Sequence, residues 1–176
     1  DLFGWVTWGE GKNPLQTEGS FTWSSDFSGT IIDVSSTGWC TLTGDEWAYV
    51  FNTRTNAASK KGHGNVNGVN GMILLPDDWT LPGGLTFTSG NSEWTNVYTS
   101  SQWVQMEANG AVFLPAAGYR NATSLNVVGN NGYYWSSTYH NSDNAYFAHF
   151  HSNSHDSKVY NSRYYGYAVR LVRNVQ

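Results

Sequence analysis

The spacing of apolar residues predicts two short helices in a chain that otherwise consists of strands and loops. The first lies in TLTGDEWAYVFNTR, where Thr43 or Asp45 can cap the helix. The second lies in SSQWVQMEANGA, where Ser100 or Ser101 can cap it and Asn109-Gly110 ends it. The side chains predicted to point inward are Trp47, Val50, Phe51, Trp103, Val104 and Met106.

Several short apolar or aromatic runs predict β-strands. GMILLP (71–76) and AVFLPAAGY (111–119) contain brief apolar runs that end at a proline, and GYYWSSTY (132–139) is rich in β-forming aromatics. The last segment, YYGYAVRLVRNVQ, alternates as a strand does, with Tyr167, Val169 and Leu171 on one side. The glycine-rich stretches 62–71 and 81–84 are assigned to loops. The pattern predicts an α+β domain with two short helices, small antiparallel sheets and long ordered loops.

Composition restricts the classes of protein that the chain can belong to. A length of 176 residues suits a single domain, 1–176, and nine Trp argue against disorder. A formal net charge of −4 gives no cationic face for nucleic acid, and no apolar run is long enough for direct membrane insertion. Cys40 is the single cysteine, which excludes an internal disulfide. Because the chain begins at DLFGW without Met or a signal segment, we expect a larger parent polypeptide.

The segment from Tyr139 to Tyr165 has an unusual composition. It holds four Asn, five Ser, five Tyr, four His and two Asp, which together fill twenty of its twenty-seven positions. Four of the five His in the whole chain lie there. Neither an ordinary core strand nor an ordinary solvated loop has this composition, so we treat 139–165, hereafter the tail, as the candidate functional region.

Five sequence blocks resemble one known family. LTGDEWAYVFNTR, GVNGMILLPDDW, GAVFLPAAGYRN, GYYWSSTY and RYYGYAVRLVR occur in this order, and the resemblance extends over roughly 2–173. They resemble the Fibrobacter succinogenes major paralogous domain family of gut Bacteroidetes and their phages. The resemblance implies a C-type-lectin-like fold in which the terminal strands pair and a long loop region presents ligands. The family is also similar to formylglycine-generating enzymes and to the variable proteins of diversity-generating retroelements.

The retroelement resemblance offers an explanation for the tail. Such elements mutate template adenines, and AAY codons then yield Asn, Tyr, His, Asp, Ser, Gly, Ala and Phe but never Trp, Met, Gln, Glu or Lys. The tail obeys this exclusion except at Lys158, which would be an invariant codon. The alternative stays open, because family members without a retroelement also carry Tyr- and Asn-rich tails. The resemblance therefore predicts a variable region over 139–165.

Alternation divides NAYFAHFH within the tail into two faces. The set with Phe150 and the small Ala148 suits the core, which predicts that Phe147, His149 and His151 face outward. The inward set is Tyr146, Ala148 and Phe150. Together with the flanking loops, the predicted ligand-binding residues are Tyr139, His140, Asn141, Ser142, Asp143, Asn144, Phe147, His149, His151, Asn153, His155, Asp156, Tyr160, Asn161 and Arg163.

These residue types suit a recognition surface. Tyr offers a large contact area with few rotatable bonds, while Ser, Asn and Asp supply adaptable hydrogen bonds, as in antibody paratopes. A dozen such side chains exposed together would form a patch of roughly 800 Å², with Tyr and Arg as anchors. The expected partner is a cell-surface protein or glycan. The alternative is a solvated polar rim that binds nothing.

Catalytic and metal-binding interpretations have weaker support in the sequence. His149, His151, His155 and Asp156 could ligate zinc or copper, but His is also a product of adenine mutagenesis. Calcium needs clustered carboxylates, and Asp143 and Asp156 are separated. Formylglycine-generating chemistry requires cysteines in the C-terminal part, where this chain has none. We therefore expect no enzyme activity, no metal and no cofactor.

The leading hypothesis is a non-enzymatic ligand-binding module on a phage virion, on a cell surface or in another extracellular setting. Its host molecule would be a phage tail protein or a bacterial adhesin. A second hypothesis is a structural subunit of a fimbria or envelope, whose fixed tail packs against a neighbouring subunit. A third is an enzyme of the formylglycine-generating type.

Overall fold

The described part of the chain combines two short helices with small sheets. A computed structural model describes residues 39–90, 93–141 and 143–173. In these ranges it contains two α-helices and eleven strands, which form one four-stranded, one three-stranded and two two-stranded sheets. This mixed architecture is compatible with the α+β class that the sequence predicts. No helix within these ranges has both the length and the apolar character needed to cross a membrane.

Helix α1, Gly44–Ala48, begins at the predicted cap. The Thr43 hydroxyl accepts a hydrogen bond from the Glu46 amide, and the Glu46 carboxylate accepts one from the Thr43 amide. This reciprocal pair satisfies two amides that the helix itself leaves free. A π-helical turn, Tyr49–Thr53, continues the helix and brings the Phe51 ring against that of Trp47. Trp47 and Phe51 are both fully buried, as predicted.

Helix α2, Ser100–Ala108, begins one or two residues earlier than predicted. Thr99 is its cap and pairs reciprocally with Gln102, so the assignment of the cap to Ser100 or Ser101 is wrong. The predicted inward position of Val104 is also wrong, because its side chain is 62% exposed. Met106 is fully buried as predicted. The helix ends where Gly110 takes a positive φ of 88°, a conformation that favours glycine.

The four-stranded sheet contains β2 (Lys61–Val66), β3 (Val69–Leu74), β4 (Asn96–Tyr98) and β5 (Val112–Pro115), in the order β4-β2-β3-β5. The β2–β4 pair is parallel, whereas the other pairs are antiparallel. The assignment of residues 62–71 to a loop is wrong, because they form most of the β2–β3 hairpin. Asn67 and Gly68 have positive φ and make its two-residue turn.

Close packing explains why glycines occupy strand positions in this hairpin. Gly64 and Gly71 are opposite each other in the pairing of β2 with β3. A methyl group on Gly64 would collide with the carbonyl oxygen of Asn96, and one on Gly71 would collide with that of Leu114. The glycines therefore allow close approach of the flanking strands, rather than marking a loop.

The three-stranded sheet is antiparallel and contains β8 (Asn131–Tyr139), β9 (Asn144–His151) and β10 (Ser154–Ser162), with β9 in the centre. Two ribbons complete the structure. Strand β1 (Trp39–Thr41) pairs with β11 (Leu171–Arg173), and β6 (Tyr119–Asn121) pairs with β7 (Ser124–Asn126). The long terminal strand predicted from alternation over 164–176 is wrong for most of its described length, because the chain from 164 to 173 forms a strand only at Leu171–Arg173. Residues 174–176 lie outside the described residues.

Three clusters of buried side chains hold these elements together. The first joins α1 to the three-stranded sheet, and the second packs α2 on the four-stranded sheet. The third covers the opposite face of the three-stranded sheet. Trp47 lies in the first cluster, as predicted, and Trp135 lies in the third, whereas Trp103 is only partly buried against the second. The largest members are Trp47, Phe51 and Phe150 in the first, Tyr98 and Met106 in the second, and Trp135, Phe147 and Tyr167 in the third.

His63 of β2 is a fully buried imidazole among aromatic rings. Its ring lies 5.6 Å from that of Trp94 and 6.2 Å from that of Phe150, centroid to centroid. Neither ring nitrogen has a hydrogen-bond partner of normal geometry. Burial lowers the pKa of His63 to about 4, the positive potential of His155 adds to this shift, and the Gly90 backbone offsets part of it. His63 is therefore neutral at neutral pH.

The first prediction concerns stability in mild acid. Because the folded pKa of about 4 lies below the unfolded value of about 6.5, the unfolded chain binds the proton more tightly. The contribution of His63 is complete above pH 6.5 and is lost as the pH falls towards 4, by roughly 3 kcal/mol. Urea unfolding of the chain and of His63→Leu should therefore differ in pH dependence by this amount. Parallel curves for the two proteins would contradict the prediction.

Candidate ligand-binding surface

The tail forms the end of β8, all of β9 and β10, and the turns between them. At the first turn, the Asn141 side-chain oxygen accepts hydrogen bonds from the amides of Asp143 and Asn144, at 3.0 and 2.9 Å. Asx turns of this kind reverse the chain without help from distant residues. The predicted binding residue Ser142 falls outside the described residues. The sequence here folds locally, which places Asn141 and Asp143 at an exposed tip.

The side chain of Arg163 holds this turn in place through hydrogen bonds. Its guanidinium donates to the carbonyl oxygens of Asn141, at 2.6 Å, and Asn144, at 3.1 Å, and lies over the Tyr139 ring at 4.8 Å. Only 5% of Arg163 is exposed. The prediction that Arg163 is an outward binding residue is therefore wrong. A guanidinium can satisfy several carbonyls at fixed angles, which makes it suited to holding a turn.

Phe147 also lies inside the protein, with 6% of its surface exposed, so the prediction that it faces outward is wrong. The physical reason is that the chain after β10 crosses the sheet on this side. Tyr167 in this crossing lies 4.8 Å from the Phe147 ring and 4.4 Å from that of Trp135. Ala145, on the same face of β9, is fully buried. Both faces of the centre of β9 are therefore covered.

Three aromatic rings of the tail form a cluster on the other face, which we call the aromatic cluster: His140, Tyr146 and Tyr160. The rings of His140 and Tyr160 stack at 3.9 Å with an angle of 13°, and Tyr146 meets His140 edge-on at 4.9 Å. Pairing of Tyr160 with Tyr146 across β10 and β9 brings them together. Tyr160 is 57% exposed, so the cluster presents an aromatic surface to solvent.

A charged pair borders the aromatic cluster. The Lys158 ammonium lies 2.6 Å from the Asp45 carboxylate and 5.2 Å from the centroid of the Tyr146 ring. Both side chains are exposed enough that their attraction contributes at most about 1 kcal/mol. Sequence reasoning missed Tyr146 and Lys158, because Tyr146 was assigned to the core and Lys158 was the exception to the tail's alphabet. The cross-strand pairing with Tyr160 was the signal that could have identified Tyr146.

His149, His151 and Asp156 lie on the opposite face of the sheet from the aromatic cluster. The Asn131 amide nitrogen lies 3.1 Å from Nε2 of His149, which leaves Nδ1 as the protonated nitrogen, 4.0 Å from the Asp156 carboxylate. Burial lowers the pKa of His149, the neighbouring His151 lowers it further, and Asp156 opposes both. His149 also packs on the Tyr133 ring at 4.6 Å. The His149 imidazole on this face is half-buried, and its lowered pKa favours the neutral form.

His155 points towards the first helix. Its Nε2 lies 3.2 Å from the Asn52 side-chain oxygen, and its ring meets that of Phe51 at 5.7 Å. Burial lowers the pKa of His155, with Lys61 adding to the shift and Asp156 opposing it. Its contacts connect the tail to the scaffold. Among the described residues, no three His, Cys, Asp or Glu side chains are arranged to hold a metal ion.

The structure therefore does not gather all the predicted residues into one patch. Pairing across the strands separates those near Tyr160 from those near His149, on opposite faces of the sheet. The exposed members are Asn141, Asp143, Asn153, Asp156 and Tyr160, and the half-buried ones are Tyr139, His140, Asn144, His149, His151, His155 and Asn161. The sequence predicts a single surface of a dozen outward side chains. The structure instead has the smaller aromatic cluster and an exposed turn.

Comparison with known proteins gives one family match. Residues 88–172 match the model of a family described as a domain of unknown function (DUF8237). This range is just under half of the 176 residues and includes the whole tail. No curated protein matches the chain, and no solved structure matches it.

The second prediction distinguishes the buried from the displayed aromatics of the tail. Phe147→Ala should destabilise the protein by about 3–5 kcal/mol, because it leaves a cavity beneath Tyr167. The matched control, Tyr160→Ala, should cost less than about 1 kcal/mol, because most of that side chain already faces water. The stability of both variants is measured by urea unfolding, in which the two m-values should be equal. Equal losses of stability would contradict the assignment of faces.

Proposed function

We propose that this domain is a non-enzymatic ligand-binding module whose tail provides the recognition surface. The observation that carries the proposal is the aromatic cluster. His140, Tyr146 and Tyr160 come from three separate segments of the tail and meet at the surface. Rings that present a rigid aromatic area beside adaptable polar groups are suited to recognition.

The fold is proposed to be C-type-lectin-like. The pairing of β1 with β11 supports this, because it joins the first described strand to the last. The loop-rich chain between them and the five sequence blocks that resemble the Fibrobacter succinogenes major paralogous domain family add support. In this interpretation the β1–β11 ribbon and the first two clusters of buried side chains form a scaffold, and this scaffold carries the tail.

We propose that diversification within 139–165 is restricted to the exposed positions. Substitutions at exposed positions such as Tyr160, Asp143 and Asn153 should cost little stability. Phe147 and Arg163, in contrast, have packing and hydrogen bonds that few other residues could replace. A retroelement that acted on this tail would therefore vary the turn and the edge strand while the centre of β9 stayed constant.

The proposed partner is a cell-surface protein or glycan, bound by a domain carried on a phage virion or on a bacterial cell surface. The pair of acidic Asp45 and basic Lys158 borders the aromatic rings, and acidic Asp143 lies in the exposed turn that follows His140, so the surface has charges of both signs. Such a surface can form hydrogen bonds to hydroxyls or to peptide groups. We expect Tyr160 to be the energetic anchor, because it is the most exposed ring of the cluster.

The third prediction tests this function with two libraries displayed on yeast. One library randomises five surface positions: His140, Asp143, Asn153, Asp156 and Tyr160. The matched library randomises four core positions: Ala145, Phe147, Ala148 and Phe150. Most members of the surface library should resist protease as the parent does, whereas most members of the core library should not.

Selection of the surface library against unrelated target proteins should then yield binders that retain the parent's stability. If the surface library loses protease resistance as often as the core library, the tail is not a tolerant display surface. If its members instead lose a self-association that the parent shows by sedimentation, the tail serves as an assembly interface, as in the structural-subunit alternative.

A further inference from the structure

Strand β10 contains a bulge next to the aromatic cluster. In its pairing with β9, Ser157 and Lys158 together lie opposite a single residue, Ala148. An extra residue of this kind reverses the alternation of faces from that point onward. Asp156 and Tyr160 would share a face in a regular strand, because successive side chains alternate. The bulge places them on opposite faces and so brings the Tyr160 ring to the aromatic cluster.

Both residues of the bulge are bonded to the first helix or to its π-helical turn. The Ser157 hydroxyl accepts a hydrogen bond from the Asn52 side-chain amide at 2.8 Å. The Lys158 ammonium donates to the Asp45 carboxylate at 2.6 Å. Bulges often change the direction in which a side chain points and are maintained for that purpose. Here the bulge directs two neighbouring side chains of the tail to the scaffold.

The aliphatic stem of Lys158 lies against the first residue of helix α1. A Cβ atom on Gly44 would come within 3.3 Å of both Cγ and Cε of Lys158, so the missing side chain at Gly44 lets the stem lie close to the helix. The Gly44 amide donates to the Thr138 hydroxyl at 2.9 Å, which connects the same turn of the helix to β8. Packing of the stem and pairing of the ammonium together fix the direction of the Lys158 side chain.

Lys158 also contacts the aromatic cluster. Its ammonium lies 5.2 Å from the centroid of the Tyr146 ring, a distance at which a cation is attracted to the face of the ring. Tyr146 meets the rings of His140 and Tyr160 edge-on, at 4.9 and 6.1 Å. The ammonium therefore connects helix α1 to the ring that packs against both other members of the cluster. Contacts of this kind add little to global stability, but they can favour one orientation of a ring over another.

We propose that Lys158 is a positioning residue of the recognition surface. The β10 bulge directs Lys158 to helix α1, and from there its ammonium orients Tyr146 and, through it, the other two rings. This inference rests on the proposed function, because it assigns a role within the same surface. It also gives a physical reason for the lysine that departs from the residue alphabet of the tail. The position requires a cation on a long aliphatic stem.

The fourth prediction compares Lys158→Met with the parent chain by NMR at one pH. Met keeps much of the apolar stem but removes the charge, so Tyr146 should lose its fixed orientation. The His140 ring protons, which the stacked Tyr160 ring shields, should move downfield towards the values of an unstacked histidine. Because the Lys158–Asp45 pair is largely exposed, the urea midpoint should change little. A merely structural role would instead lower the midpoint while the folded protein kept its histidine shifts.

Two further variants and a control keep the test decisive. Lys158→Arg retains a cation on a long stem and should keep the histidine shifts of the parent. Asp45→Asn breaks the ion pair from the side of the scaffold, with the tail unaltered, and should reproduce part of the downfield movement. The control, Lys60→Met, removes the lysine from another lysine–aspartate pair, with Asp77, and should leave the shifts unchanged. Circular dichroism verifies the fold of each variant.

A library experiment tests the consequence for recognition. The surface library of five positions is built again on the Lys158→Met background and on the Lys60→Met background. All three libraries are then selected against lysozyme as the target protein. The Lys158→Met library should yield about tenfold fewer binders than the other two, because rings without a fixed orientation lose more entropy on binding.

The outcomes separate this inference from the proposed function. Unchanged histidine shifts in a folded Lys158→Met protein would overturn the positioning role and leave the proposed function intact. Equal yields of binders from the three libraries would also overturn it, even if the shifts change. If no library yields binders, the proposed function is overturned and the inference fails with it, whatever the histidine shifts are.

Discussion

The covering of strand β9 on both faces is the constraint on which the rest of the tail depends. Phe150 and Ala148 pack towards Trp47 on one side, while Phe147 packs beneath Tyr167 on the other. Burial of each large aromatic side chain contributes on the order of 2 kcal/mol. The tail is thus attached to the scaffold through its centre, and only its turn, its edge strand and the ends of its strands can meet a partner.

Because of this constraint, the residue types of the tail do not indicate which of its side chains are exposed. Asn141 and Arg163 belong to the same polar alphabet as the displayed residues, yet they build and hold the first turn. Tyr160 and Tyr146 are displayed together, because a bulge in β10 brings them opposite each other. A recognition surface of this kind depends on the backbone staying fixed while its outer side chains change. The hydrogen bonds of Arg163 are one means of fixing it.

The scaffold meets the tail at its first helix. Helix α1 contributes both to the core and to the proposed recognition surface, since Trp47 lies in the first buried cluster and Asp45 pairs with Lys158 beside the aromatic cluster. A short helix with a strong cap therefore connects the core to the displayed side chains of the tail.

Local signals predicted the elements that depend on neighbouring residues. The Thr43 cap, the burial of Trp47 and Phe51, and the span of β9 follow from side chains within a few positions of one another. The loop assigned to residues 62–71 failed because its glycines are required by distant strands, although Asn67-Gly68 is itself a local hairpin signal. The terminal alternation failed as a strand because the crossing segment packs its side chains on the sheet face without a continuous neighbouring strand.

The sequence by itself determined that Tyr146, Ala148 and Phe150 lie on one face of β9 and that Phe147, His149 and His151 lie on the other, because successive side chains of a strand alternate. It could not determine how many of those faces are buried. That was decided by the tertiary structure, in which a segment more than ten residues further along the chain places Tyr167 over Phe147. Period-two patterning records the division of a strand into faces, whereas burial depends on what the rest of the chain packs against each face.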